Sequence, residues 1–267
     1  MSGWRVFTGG VTGREKADAI RARKASGQRI SALTAYDYPL AKFLDEVGID
    51  VLLVGDSLGM VVLGMEDTTE VTMAQMIHHT QAVSRAKPKG LVLADLPIGS
   101  YADPAAAVRH GGELVAAGAD AVKLEGGVRQ ADKVRALVAA GIPVCGHLGM
   151  LPQRVREEGG YRKKGRTREQ AEALCAGAEA LVDAGVFALV LESVVAETAA
   201  ELTREMAVPT IGIGCGERTC DGEVAVVTDV MGSFPWFVPP FARPEADVAG
   251  VIREAVKRYH QRVRSEC

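Results

Sequence analysis

Four acids, a histidine and a lysine stand where short apolar runs of the chain end. The run Val51–Val54 leads into Gly55-Asp56-Ser57, Leu91–Ala94 into Asp95, and Ala121–Leu124 into Glu125. Pro143–Gly146 leads into His147 and Ala188–Leu191 into Glu192-Ser193. Lys123 lies two residues before Glu125, so on a strand it points to the same side. Oxygen donors of this kind suit a hard cation such as Mg²⁺. Asp56 and Asp95 are the candidate direct ligands, with Glu125 binding directly or through water. A Mg²⁺ ion with open positions chelates a 2-oxo acid through its carboxylate and keto oxygens and acts as a Lewis acid. Lys123 then neutralises the substrate carboxylate. Glu192, which the cation does not need, is the candidate general base. Helix capping accounts for an Asp or Ser after a strand, but poorly for Glu125 and Glu192, because Glu is a weak N-cap residue. Like charges crowded at one rim also call for a compensating cation.

These residues reach one rim only if the runs are parallel strands. Seven runs qualify: Ile30–Thr34, Val51–Val54, Leu91–Ala94, Ala121–Leu124, Pro143–Gly146, Ala188–Leu191 and Thr210–Ile213. Each is nearly continuous in apolar character, as strands buried on both faces are. Between them lie helical stretches. Thr12–Glu15, Thr72–Gln75 and Thr167–Gln170 read as capping boxes, and Gly48, Gly118, Gly141 and Gly185 as helix-terminating glycines. The alternation predicts an α/β fold, a (β/α)8 TIM barrel, as one domain over 1–267. A helical lead-in covers 1–28, and a last helix starts at Pro244 and runs to about Arg264. The eighth strand is harder to place. Val224–Thr228 has strand composition, but only about nine residues separate it from Ile213, and a parallel crossover takes roughly a dozen. Gly222–Met231 is therefore expected as a helix capped by Asp221, and Trp236–Phe241 as the eighth strand.

Two segments are long enough to act as lids, Ser57–Val71 and the basic stretch Gly159–Thr167. Arg162, Lys163 and Lys164 are expected to meet an anionic group of a second substrate. The other histidines and glycines carry less: His78 and His79 are adjacent on a helix and do not share a face. Gly212-Ile213-Gly214 lacks the third glycine of a dinucleotide fingerprint.

With 48% hydrophobic and 24% charged residues, the 267-residue chain has the composition of a globular protein with a sizeable core. A net charge of -3 gives no basic footprint for nucleic acid, and no apolar run reaches bilayer-spanning length. Met1–Thr12 has no signal-peptide core, so a cytoplasmic location is expected. No two cysteines stand at Cys-x-x-Cys spacing, which argues against a zinc knuckle or redox dithiol.

Longer motifs go further. Leu33–Pro39, Val54–Gly64, Ala94–Tyr101, Val122–Gly127 and Gly146–Gln153 occur in order, followed by Ile211–Gly214 and Cys220–Gly222. Through them the chain resembles the ketopantoate hydroxymethyltransferase family. The resemblance implies a barrel of the phosphoenolpyruvate mutase and isocitrate lyase group. It implies metal ligands at Asp56, Asp95 and Glu125, oxo-acid contacts at Asp56, Ser57, Asp95 and Lys123, and a proton acceptor at Glu192. His147 matches a position near the site. The implied substrate is 3-methyl-2-oxobutanoate, the one-carbon donor 5,10-methylenetetrahydrofolate, and the assembly a homo-oligomer, usually a decamer. Met65–Val71, Cys215–Thr219, Trp236 and Pro239 depart from the family pattern. Two alternatives stand beside this reading: a metal-dependent lyase or mutase on another 2-oxo acid, and a non-catalytic paralogue that binds one.

Overall fold

The computed structural model describes residues 11–265. Eight parallel strands close into a barrel in sequence order. They are β1 (Ile30–Thr34), β2 (Val51–Val54), β3 (Leu91–Asp95), β4 (Ala121–Glu125), β5 (Val144–Gly149), β6 (Ala188–Glu192), β7 (Thr210–Ile213) and β8 (Gly222–Ala225). All seven runs identified in the sequence are strands. Three of them extend one residue further, so that Asp95, Glu125 and Glu192 are the last residues of β3, β4 and β6. Along each strand, neighbours alternate between two apolar layers, as pleating dictates. Leu53, Leu93, Cys145 and Val190 face into the barrel, while Leu52, Val92, Leu124 and Leu189 pack outward under the helices.

The helices follow from local signals. They are α1 (Gly13–Ser26), α2 (Tyr38–Val47), α3 (Leu58–Val61), α4 (Met73–Ser84), α5 (Pro104–Ala116), α6 (Ala131–Ala139) and α7 (Val155–Glu158). After these come α8 (Arg168–Ala184), α9 (Ala196–Glu205), α10 (Val227–Met231) and α11 (Val248–Ser265). Thr12 and Thr72 open α1 and α4 with complete capping boxes. Thr167 caps α8 through Gln170 N–H, but the Gln170 side chain accepts from Arg166 N–H instead of closing the box. The expected helical lead-in is α1; residues 1–10 lie outside the described residues. Ala17 and Ile20 of α1 are buried against the barrel interior. The Lys16 ammonium bonds the carbonyls of Pro88 and Gly90 and pairs with Asp120 at 2.8 Å, which fixes α1 across the amino end of the barrel.

The eighth strand corrects the sequence reading. Gly222–Ala225 is β8, paired with both β7 and β1, and the helix α10 begins only at Val227. Trp236–Phe241 is irregular and exposed. The dozen-residue rule assumes a helical crossover. Here the eight-residue connection 214–221 crosses without one. Eight extended residues span roughly 26 Å, about twice the length of a four-residue strand. Asp221 does not cap a helix; its carboxylate accepts from Thr210 N–H and pairs with Lys24, both at 2.9 Å. The last helix starts at Val248, four residues after the expected Pro244. Bonds from Glu245 N–H to Val230 O and from Ala249 N–H to Gly232 O hold the intervening chain against α10. Asp247 then accepts from Gly250 N–H in the first turn of α11.

Candidate active site

The site lies at the carboxyl ends of β2 to β6. Asp95, Lys123, Glu125 and His147 are carried on strands, so backbone pairing places them. Asp95 is register partner to Lys123, and Glu125 to His147. Asp56 follows β2, and its N–H donates to Asp95 Oδ2 at 3.1 Å. All five are at most 4% exposed. Ser57 opens α3, and its hydroxyl is 2.9 Å from the hydroxyl of the buried Tyr36. The candidate residues named from the strand ends therefore converge on one rim, and all but Ser57 contact one another there.

Lys123 Nζ is 3.1 Å from Asp95 Oδ1 and 3.2 Å from His147 Nδ1. His147 lies between two carboxylates, with Nδ1 3.4 Å from Glu125 Oε1 and Nε2 3.3 Å from Glu192 Oε2. Nδ1 accepts from Lys123 when the ring is neutral and donates to Glu125 when it is charged. Burial and Lys123 disfavour the charge, but the hydrogen bonds to Glu125 and Glu192 prevail and raise the ring's pKa to about 9. Burial raises Glu125, but the His147 contact outweighs it and holds that carboxyl below its usual range. Burial holds Asp56 well above its usual range, reinforced by Asp95 and Glu125. Burial likewise raises Asp95, against the pull of Lys123.

Fully ionised, four carboxylates (Asp56, Asp95, Glu125, Glu192) against two cations (Lys123, His147) leave a net charge of -2, which a divalent cation would neutralise. Two buried oxygens, Asp95 Oδ1 and Glu125 Oε1, have no well-aligned hydrogen-bond donor despite their charged neighbours. Among the described residues, no group of three or more His, Cys, Asp or Glu side chains is placed to hold a metal ion by itself. That is compatible with Mg²⁺, which takes one or two carboxylates and keeps water or substrate oxygens.

One residue essential to this wiring escaped sequence reasoning. Gln153, 3% exposed, sits in a 3₁₀ turn after β5 (Pro152–Arg154) and bonds both Asp56 and Glu125. Its sequence signals were its place at the end of the motif Gly146–Gln153 and its position close behind a strand that ends at the site.

The two lid candidates meet where the Tyr161 hydroxyl lies 3.9 Å from Met60 Sδ. The Arg156 guanidinium pairs with Asp67 at 2.6 Å and Glu70 at 2.8 Å, tying α7 to the segment after α3. The basic stretch is partly anchored: Lys164 N–H bonds Ser193 O, and its ammonium pairs with Glu158. Lys163 instead lines a cavity of about 650 Å³ beside β7 and β8, together with Ile213, Cys215, Asp229, Phe241 and Arg243. None of the clustered acids lines that cavity, but Ile213 is the register partner of Glu192.

Residues 14–267 match the model of the ketopantoate hydroxymethyltransferase family. The chain belongs to that family. Relatives named 3-methyl-2-oxobutanoate hydroxymethyltransferase agree. One from Ignicoccus hospitalis is 53% identical, covering 92% of this chain and 93% of its own. One from Aeropyrum pernix is 51% identical (94% and 92%), and one from Carboxydothermus hydrogenoformans 48% identical (95% and 92%). Among solved structures, a 2,3-dimethylmalate lyase of the PEP mutase/isocitrate lyase superfamily aligns with TM-score 0.66 at 19% identity, over 94% of this chain and 88% of that one. A phosphonopyruvate hydrolase in complex with oxalate and Mg⁺⁺ aligns with TM-score 0.64 at 15% identity, over 96% and 88%. Those two likenesses show that this ketopantoate hydroxymethyltransferase family member shares their fold, in keeping with its closed eight-stranded barrel.

Proposed function

We propose that this enzyme transfers a hydroxymethyl group from 5,10-methylenetetrahydrofolate to 3-methyl-2-oxobutanoate, consuming water and releasing 2-dehydropantoate and tetrahydrofolate. The observation that carries the reading is the connected rim of Asp56, Asp95, Lys123, Glu125, His147 and Glu192, in a chain matched to the family over residues 14–267. Asp56 and Asp95, with Glu125 directly or through water, would hold a divalent cation, which would supply Lewis acidity to the keto and carboxylate oxygens of the substrate. Lys123 contributes a fixed positive charge for the substrate carboxylate, and the Ser57 hydroxyl a neutral contact beside it. Glu192 takes the proton from C3. It is the most exposed of the four carboxylates, with a side chain 15% exposed, and it sits away from Asp56 and Asp95 on the far side of His147. His147 Nε2 lies 3.3 Å from its Oε2. The C3 carbon then attacks the one-carbon unit of the donor. The position of Lys163 in a cavity walled by Ile213 supports a role for the basic stretch in holding the donor's anionic end.

The test is exchange of the C3 proton of 3-methyl-2-oxobutanoate in D₂O with Mg²⁺, run alongside 2-dehydropantoate formation from 5,10-methylenetetrahydrofolate. Exchange together with product is expected. Exchange without product would assign a different donor, and neither would point to another oxo acid or to a binding-only protein.

A further inference from the structure

Gln153 uses every polar atom of its side chain. Nε2 donates to Asp56 Oδ2 at 2.8 Å and to Leu96 O at 2.9 Å, while Oε1 accepts from the Tyr101 hydroxyl. Its backbone N–H donates to Glu125 Oε2 at 3.1 Å. One residue behind β5 thus grips a carboxylate after β2, a carbonyl after β3 and a carboxylate at the end of β4. The amide does so without adding charge to a cluster already short of cations. Its orientation is determined as well. Tyr101 is a hydroxyl donor to Oε1, so the NH₂ group must face Asp56. A flipped amide would set its oxygen against a carboxylate oxygen.

We propose that Gln153 is a positioning residue for the cation site. It occupies one oxygen of Asp56 and one of Glu125, and so presents the other oxygen of each toward the cation. This inference rests on the assignment of Asp56, Asp95 and Glu125 as ligands. Hydrogen-bond partners that orient metal-bound carboxylates typically govern metal affinity by 10- to 100-fold, with little direct part in the chemistry. Tyr101 acts one step further out, through the amide.

The experiment titrates the metal-free enzyme with Mn²⁺ in the absence of substrates and follows the free-ion electron paramagnetic resonance signal. Gln153→Ala and the similarly sized, uncharged Gln153→Met are each expected to raise the Mn²⁺ Kd by about 10- to 100-fold. Tyr101→Phe should raise it by a smaller factor in the same direction. Tm measured in excess chelator separates positioning from folding, and Gln153→Met and Tyr101→Phe keep the test open should Gln153→Ala misfold. A variant set with lowered chelator Tm but wild-type Kd would reduce Gln153 to a packing residue and overturn the proposal. Asp95→Ala is the control for the underlying assignment. If it weakens Mn²⁺ while the Gln153 variants do not, the inference alone fails. If Asp95→Ala also binds as wild type, the ligand assignment is wrong and the inference falls with it.

Discussion

Division of labour among the rim carboxylates follows from their surroundings. Asp56 and Asp95 are buried and adjacent, and Asp95 Oδ1 has no aligned donor, which suits cation ligands. Glu192 is partly exposed, with Oε2 3.3 Å from His147 Nε2. We therefore predict that Glu192→Gln abolishes C3-proton exchange by roughly 10²- to 10⁴-fold, the usual worth of a general base, while Mn²⁺ affinity stays at the wild-type level. Deuterium exchange followed by proton NMR measures the first and the Mn²⁺ titration the second. Exchange at the wild-type rate in this variant would remove Glu192 as the base.

Among the elements, β5, β6 and the segment behind β5 do most to shape the site. Gly149 ends β5 at φ +100°, and a Cβ there would lie 2.1 Å from the carbonyl oxygen of Glu192. That carbonyl also accepts from Met150 N–H at 2.8 Å. The backbone carrying the candidate base is thus locked to the end of the neighbouring strand. Gly149→Ala is expected to destabilise the fold by on the order of 3 kcal/mol, read by denaturant unfolding, and to impair exchange in the folded fraction. Undiminished stability would show that the strand ends relax independently. The basic stretch is the second element with a specific expectation. Arg162, Lys163 and Lys164 looked equivalent in sequence, but Lys164 is paired with Glu158 and Lys163 faces the β7–β8 cavity. Lys163→Glu should therefore raise the KM for the folate donor several-fold and leave the KM for 3-methyl-2-oxobutanoate unchanged. Steady-state kinetics with each substrate varied decides it, and an unchanged donor KM refutes the role.

At the scale of the molecule, α11 leaves an apolar face uncovered on the chain. Val251, Ile252, Val256, Tyr259 and Val263 share that face and are 47% to 68% exposed, while Ala249 is the buried residue of the helix. Trp236, Phe237 and Val238 nearby are exposed as well. No helix among the described residues is long and apolar enough to cross a membrane. The family resemblance implies a homo-oligomer, and we propose that α11 contributes to its subunit contacts. Ending the chain at Asp247 should then lower the molar mass measured by light scattering during size-exclusion chromatography. A full-length chain that elutes as a monomer would reject this.

Much of the barrel was legible in the order of residues alone. Strands buried on both faces must be apolar throughout, so the seven runs stood out, with their chemistry-bearing residues at one end. Parallel pairing then forces those ends to one rim, where Asp56, Asp95, Lys123, Glu125, His147 and Glu192 are brought together. Local signals failed where burial is decided by distant chain. Trp236–Phe241 is apolar enough for a strand yet lies exposed. Gly222–Ala225 becomes β8 because β1 and β7 offer it a slot, a contact across nearly the whole sequence. Gln153 was missed for the same reason. Its partner Asp56 is 97 residues away, and no spacing rule connects a turn after β5 to a loop after β2. Sequence determined which residues arrive at the rim, because strand periodicity is local; tertiary structure decided which oxygens remain free there, because hydrogen bonds between strand ends depend on barrel closure.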